Sequence, residues 1–233
     1  MKKYFIIFGL LSLSIVMFLT PKEANANCET SCSSTWSDFV TEALELPGYS
    51  GCSVTFTYRE RQCIVLGQKI TEFDIRKFRV YTSGTDSCKK LYDKIITDPT
   101  PDWDFTDWIF KQGFTELSIE YFMALYNAAK PGDKWQFECP EIYMKYEASW
   151  RSCAQFVIYL DQKPGSWDLY IEIDPCEDLI CCLHTLEMCW DTEEDELYIN
   201  ENYSYDNGEC EAEPEEHEGA AWESDCLPIC LEP

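Results

Sequence analysis

Fourteen cysteines constrain this chain more than any other feature, and all of them follow residue 27. The segment before them predicts their redox state. Lys2 and Lys3 precede an apolar run over residues 4–19, and residues 24–26 fit a small-x-small cleavage site. We therefore predict a secretory signal peptide over residues 1–26. The run is shorter than the roughly 20 residues that a membrane-spanning helix needs, and no second stretch predicts a membrane span in the mature chain.

Export would place the cysteines in an oxidising compartment, where they form disulfides. We expect the 14 cysteines to form seven disulfides, each contributing about 2–4 kcal/mol by restricting the unfolded chain. A thiolate metal site or a thiol active site needs reduced cysteines, so the expectation argues against both. The sequence leaves the pairing open. The expected disulfide cysteines are Cys28, Cys32, Cys52, Cys63, Cys88, Cys139, Cys153, Cys176, Cys181, Cys182, Cys189, Cys210, Cys226 and Cys230.

The segment DLICCLHTLEMCW, residues 178–190, combines three cysteines with one of the two histidines of the chain. It predicts a β-strand, in which successive side chains point to opposite faces. Cys181 and Cys182 would then have different partners. Cys189 would share the face of Cys181, whereas His184 would share the face of Cys182. We expect His184 to pack beside apolar side chains rather than to act in catalysis.

The acidic residues are concentrated near the C-terminus. Residues 27–163 hold 20 acidic and 15 basic residues, whereas residues 164–233 hold 22 acidic residues and neither Lys nor Arg. This balance excludes nucleic acid as a partner, because phosphate binding needs a basic surface. It favours divalent cations or a basic protein surface as partners.

Hydrophobic periodicity predicts an α+β fold. Residues 52–66 alternate as a β-strand, and residues 69–82 predict a second strand with a break in phase, so that the two form a hairpin. Helical spacing follows in residues 86–97 and in residues 116–129. Strands joined by short turns return after residue 142.

These elements predict an antiparallel β-sheet with a two-helix segment in the middle of the chain, rich in disulfides and followed by an acidic, irregular C-terminal extension. The signal peptide covers residues 1–26, the disulfide-stapled domain residues 27–190 and the extension residues 191–233. Ahead of the first strand, Asp38 is expected to cap a short helical turn through Leu44.

Several of these features resemble a family. Cys28, Cys32 and Trp36, the motif LPGYSGCSVTFTYRERQC, and the Cys-Trp-Asp of residues 189–191 resemble a loose group of secreted, cysteine-rich proteins of Bacteroidota bacteria. The likeness covers residues 28–191, and the acidic extension departs from it. The group has no known function, so the resemblance implies no catalytic residue.

Calcium has weak candidate ligands in Asp102, Asp104 and Asp107, which offer hard oxygen atoms ahead of a helix. An EF-hand loop beginning at Asp102 would need Gly and Glu at its sixth and twelfth positions, where the chain has Asp107 and Gly113. The alternative is a helix cap within a polar loop. No other cofactor is predicted.

Aromatic residues offer a different kind of site. The chain has eight Trp and 14 Tyr, and Trp103 and Trp108 flank the aspartate cluster. They form a candidate aromatic platform for sugar rings, with core packing as the alternative.

Catalytic motifs are missing from the sequence, and no catalytic residue is predicted. The primary hypothesis is a secreted or surface-associated protein that is not an enzyme and that binds a partner or builds extracellular structure. One alternative is a carbohydrate-binding module that recognises polysaccharide through exposed Trp and Tyr. The other is a secreted hydrolase with two carboxylates, for which nothing selects the pair. The expected location is extracellular or at the cell surface, with the periplasm left open.

Overall fold

The computed structural model describes residue 32, residue 210 and residues 34–65, 67–81, 85–97, 100–140, 142–151, 153–163, 166–176, 181–204 and 213–228. The predicted signal peptide, Cys28 and Cys230 lie outside the described residues, and so do the side chains of Cys181 and Cys182.

A long hairpin of β2 (Ser53–Val65) and β3 (Gln68–Tyr81) forms the centre of the fold. Its existence and its phase break were both predicted from the alternation of the sequence, and both are confirmed. The register shifts between Thr57 and Tyr58. The resulting β-bulge changes which residues of β3 face the core, as an extra residue in one strand does.

The helical turn predicted to follow Asp38 is wrong. In its place, β1 (Val40–Glu45) pairs antiparallel with β2, and Leu44 is its buried residue. A free β2 edge was available beside this segment. Cross-strand pairing therefore decided its conformation over the weak local capping signal.

Two helices follow the hairpin, and each begins at a capping side chain. Thr85 accepts a hydrogen bond from the backbone of Cys88, and Asp102 accepts one from Phe105. The second helix begins at Trp103, well before the predicted residue 116. The elements are α1 (Asp86–Ile95), β4 (Ile96–Thr97), β5 (Thr100–Pro101), α2 (Trp103–Ala128) and a 3₁₀ helix (Pro131–Phe137).

Seven strands complete the described part of the chain. They are β6 (Met144–Arg151), β7 (Cys153–Lys163), β8 (Ser166–Pro175), β9 (Cys181–Asp191), β10 (Glu196–Ser204), β11 (Trp222–Glu223) and β12 (Leu227–Pro228). With β1, β2 and β3 they form one ten-stranded sheet. Along one edge of β3, residues 70–73 pair parallel with β6 and residues 77–81 pair antiparallel with β8. The sheet therefore divides into two arms, and its mostly antiparallel pairing confirms the predicted class.

The acidic extension differs from its predicted irregular form. β10 pairs with β9 over nine residues, and β11 and β12 pair with β7. Leu197 and Ile199 of β10 pack against the core. Burial of these side chains and pairing with β9 outweigh the acidic composition of the segment.

The core lies between α2 and one face of the sheet. Phe110 and Phe114 of α2 meet Phe78 and Phe73 of β3, with ring centroids 4.9 and 6.0 Å apart. The helix approaches the sheet closely at Gly113, where an added Cβ would lie 2.3 Å from a ring carbon of Phe56. Only a residue without a side chain fits this contact.

Candidate functional site

A groove opens where four segments of the described chain meet. The tip of the β2–β3 hairpin, the C-terminal part of α2, the 3₁₀ helix and the start of β6 enclose a volume of about 560 Å³. Ligand-binding clefts commonly have volumes of about 300–1,000 Å³. We call this space the Trp135 groove. Its described lining residues are Gln62, Gly67, Gln68, Lys69, Ile70, Thr71, Leu125, Trp135, Gln136, Phe137, Ile142, Tyr143 and Met144.

Covalent and aromatic contacts fix the wall that carries Trp135. After the 3₁₀ helix, Cys139 forms a disulfide with Cys189 of β9, and its backbone N–H donates to the carbonyl of Trp190 (3.0 Å). Phe137 packs edge-on against Phe122 of α2, with ring centroids 5.8 Å apart. The backbone that carries Trp135 is thereby held in place, and 59% of the surface of Trp135 is exposed.

The lining of the groove is apolar and amide-rich. Lys69 is its one charged residue among those described, although the chain has a formal net charge of −25. Three glutamines are among the lining residues, and Gln62 donates its amide N–H to the hydroxyl of Tyr121 (2.8 Å). That hydrogen bond orients the amide. An amide offers both donors and an acceptor, so this lining suits an uncharged ligand with hydroxyl groups.

The aromatic surface continues beyond the groove. Tyr143 lies edge-on to Tyr198 of β10, with ring centroids 6.3 Å apart, and Tyr198 is 47% exposed. The two tyrosines extend the surface that begins at Trp135 towards the edge of the sheet.

A second depression, of about 510 Å³, lies on the opposite face of the hairpin. The charged side chains that line it are held in ion pairs, and Asp174 among them binds His217 at 2.7 Å. Arg59 and Arg76 bind Asp74 at 2.8 and 2.7 Å, and Lys77 binds Glu172 at 3.2 Å. These ion pairs occupy the groups that a charged ligand would need, so the depression is the weaker candidate.

The two tryptophans of the candidate platform are half-buried and pack against the core. Trp103 stacks on Phe156, with centroids 6.1 Å apart and planes at 7°. Trp108 stacks on Phe105 at 5.1 Å and 14°. The most exposed described tryptophan is Trp135, which the sequence reasoning missed. Its sequence signal is a Trp within four residues of a Pro-Gly turn and of a cysteine.

The calcium candidates lie at the start of α2. Asp102 caps the helix and binds Lys94 at 3.2 Å, Asp104 is exposed in the first turn, and Asp107 binds Lys111 at 2.8 Å. Burial raises the pKa of Asp107, although Lys111 opposes this effect. These contacts are those of a capped helix with ion pairs.

One group of three potential metal ligands converges within 4.8 Å among the described residues: Cys32, Cys63 and Glu72. The two sulfur atoms form a disulfide, and Glu72 binds Arg61 at 2.5 Å. A disulfide supplies no thiolate, so the group lacks the ligands that zinc requires.

The predicted disulfides are confirmed for ten cysteines, whose paired Cα atoms lie 4.7–6.1 Å apart. The described pairs are Cys32–Cys63, Cys52–Cys88, Cys139–Cys189, Cys153–Cys210 and Cys176–Cys226. Two of them attach the acidic extension to the sheet. The described cysteines therefore have a structural role, and no free thiol occurs among them.

His184 is buried in the core, as predicted. Its Nε2 lies 2.6 Å from a carboxylate oxygen of Glu201, which also accepts a hydrogen bond from the hydroxyl of Tyr203 (2.5 Å). The imidazole stacks on Tyr203 and contacts Phe114 edge-on. Burial lowers the pKa of His184 to about 4, although Glu201 opposes this shift. Nδ1 has no hydrogen-bond partner among the described residues, which fits a neutral ring protonated on Nε2.

His217 holds the acidic extension in place. Its Nε2 lies 2.7 Å from Asp174 of β8, and its Nδ1 lies 3.1 Å from Glu223. Both nitrogens can donate only when the ring is a cation. The hydrogen bond with Asp174 is the main reason that the pKa of His217 is raised.

The chain matches no family model, no curated protein and no solved structure. Within the described part of the chain, no helix combines the length and the apolar character that crossing a membrane requires.

Proposed function

We propose that this protein is a secreted binding protein without enzymatic activity, and that its ligand occupies the Trp135 groove. The observation that carries the proposal is the exposure of Trp135. A disulfide and a ring contact fix the segment that presents a large, exposed indole beside the groove. Exposing an aromatic ring forgoes the stabilisation that burial provides, and rigid aromatic rings are frequent anchors at binding surfaces.

The positions of the two histidines and the composition of the groove lining support binding rather than catalysis. His184 is buried between aromatic rings, and His217 is held between two carboxylates. Both imidazoles of the chain are therefore engaged in structural contacts. The groove itself presents amide groups, one ammonium group and aromatic rings, which recognise ligands but do not form a nucleophile–base pair.

Export is part of the same proposal. The five disulfides among the described residues are typical of proteins that mature in an oxidising compartment. N-terminal sequencing of the protein recovered from outside the cell should begin at Asn27. Recovery of the uncleaved chain with titratable thiols from the cytosol would contradict export.

The binding role is tested by ¹⁹F NMR of the mature protein labelled with 5-fluorotryptophan. Trp135→Phe assigns the Trp135 resonance. Four classes of probe are titrated: neutral oligosaccharides, oligogalacturonate, decapeptides and fatty acids. We expect at least one class to shift the Trp135 resonance in a saturable way. A resonance that none of the four classes shifts would refute the proposal.

A further inference from the structure

From the Trp135 groove we infer the class of the ligand: an uncharged oligosaccharide segment of a polysaccharide. This inference rests on the proposed binding function and names what the groove recognises. The charge, the hydrogen-bonding groups and the aromatic surfaces of the lining each favour this class of ligand.

The charges of the groove lining and of the whole chain favour an uncharged ligand. The described lining has no carboxylate, so a cation would find no ion-pair partner among those residues. A polyanion would meet Lys69 but would also meet the field of a chain with a formal net charge of −25. Like charges repel over roughly 8 Å at physiological ionic strength, which is comparable to the width of a groove.

The hydrogen-bonding groups of the groove lining favour a ligand with hydroxyl groups. Gln62, Gln68 and Gln136 line the groove from two separate elements, the hairpin and the 3₁₀ helix. Each amide can donate and accept, and a sugar hydroxyl can do the same. Tyr121 fixes the orientation of the Gln62 amide. Fixing a side chain before binding reduces the entropy lost on binding.

The aromatic surfaces select more than one sugar ring. Trp135 presents an exposed indole beside the groove, and the Tyr143–Tyr198 pair presents a second surface towards β10. The C–H face of a pyranose ring is apolar while its edge is polar, and an amphipathic Trp or Tyr at a wet surface matches both. Two such surfaces fit an oligosaccharide better than a single sugar.

A peptide strand or an acyl chain fits less well. Strand addition needs a free sheet edge, but the strands that border the groove are already paired. Ile70 of β3 pairs with Lys145, and Met144 of β6 pairs with Met188. An acyl chain on Trp135 would stay in contact with water, because the indole is 59% exposed.

The test is isothermal titration calorimetry of the mature protein with cellohexaose, mannohexaose, xylohexaose and laminarihexaose, and with a hexamer of galacturonic acid as an anionic control. We expect saturable binding of at least one neutral hexasaccharide and no binding of the anionic hexamer.

Variants of the groove test the site. Trp135→Ala should weaken the binding of that hexasaccharide at least about tenfold, and Gln136→Ala should also weaken it. Phe39→Ala removes an exposed ring beside the second depression and serves as the matched control. It should leave the affinity unchanged.

The outcomes separate the two proposals. If decapeptides or fatty acids shift the Trp135 ¹⁹F resonance and no neutral hexasaccharide binds, the ligand class is wrong and the binding role stands. If a hexasaccharide binds equally well to Trp135→Ala, the site is wrong. If no probe of any class binds, both proposals fall.

Discussion

His184 should make the stability of this protein sensitive to mild acid. The size of the loss in free energy of unfolding follows from the burial of the imidazole. The ring titrates near pH 6.5 in the unfolded chain, whereas burial lowers its folded pKa to about 4. A base with a lowered folded pKa contributes stability above its unfolded pKa and loses it as the pH falls towards the folded value. These two values predict losses of about 2 kcal/mol at pH 5 and about 3 kcal/mol at pH 4, relative to pH 7.5.

Carboxylates also titrate in this range, so the contribution of His184 must be isolated by difference. His184→Gln keeps an N–H that can donate to Glu201 but binds no proton. We expect the variant to be less stable than the wild type at pH 7.5 because it loses the ring contacts with Phe114 and Tyr203. That stability difference should narrow by about 2 kcal/mol at pH 5. His217→Gln, which removes the other histidine, is the control. It keeps His184 and loses the stabilisation that protonated His217 adds on acidification, so its acid sensitivity should be no smaller than that of the wild type.

The assay is unfolding in guanidinium chloride, followed by tryptophan fluorescence with the disulfides intact, at pH 7.5, 6, 5 and 4. An NMR titration of the wild-type imidazole gives the folded pKa independently. A parallel fall in the free energies of unfolding of the wild type and His184→Gln would show that His184 does not cause the acid sensitivity. A folded pKa of His184 near 6.5 would show the same.

Three further predictions concern other parts of the fold. Replacing Cys139 and Cys189 together with Ala opens a loop closed over 50 residues and should lower the free energy of unfolding by about 4 kcal/mol, measured by denaturant titration. Gly113→Ala places a Cβ 2.3 Å from a β2 phenylalanine ring and should destabilise by about 1–3 kcal/mol; an unchanged Tm would contradict this packing. The raised pKa of His217 means that its attachment of the extension is complete below pH 6.5 and weakens as the pH rises through the folded pKa. Backbone amides of residues 220–224 should therefore be protected relative to His217→Gln at pH 6, and this difference should shrink at pH 9.

Local patterns predicted the hairpin well. The alternation in β2 and the phase break in β3 are properties of contiguous residues, so the sequence contains them directly. The strand that carries His184 was predicted for the same reason, and so was the burial of its imidazole among apolar neighbours.

Elements that depend on distant partners were predicted poorly. β1 and β10 form because β2 and β9 offer edges to them, and no local pattern reports such an edge. The start of α2 had a local signal, the Asp102 cap, but the prolines before it suggested a loop. Pro101 lies just outside the helix, where proline is tolerated.

The Trp135 groove could not be predicted because four segments separated in the sequence form it. These segments meet only in the folded protein: they are the tip of the hairpin, the C-terminal part of α2, the 3₁₀ helix and the start of β6. The composition shows that aromatic residues are abundant, but it does not show which of them are exposed. Trp103 and Trp108 have suitable neighbours in the sequence, yet they pack against the core.

The most direct test of the binding site is a crystal structure of the mature protein grown with 10 mM of each neutral hexasaccharide in turn. We predict electron density for a sugar ring against the indole of Trp135, with hydroxyl groups within hydrogen-bond distance of Gln62 or Gln136. Density for the sugar at another surface, with the groove free of it, would contradict the account.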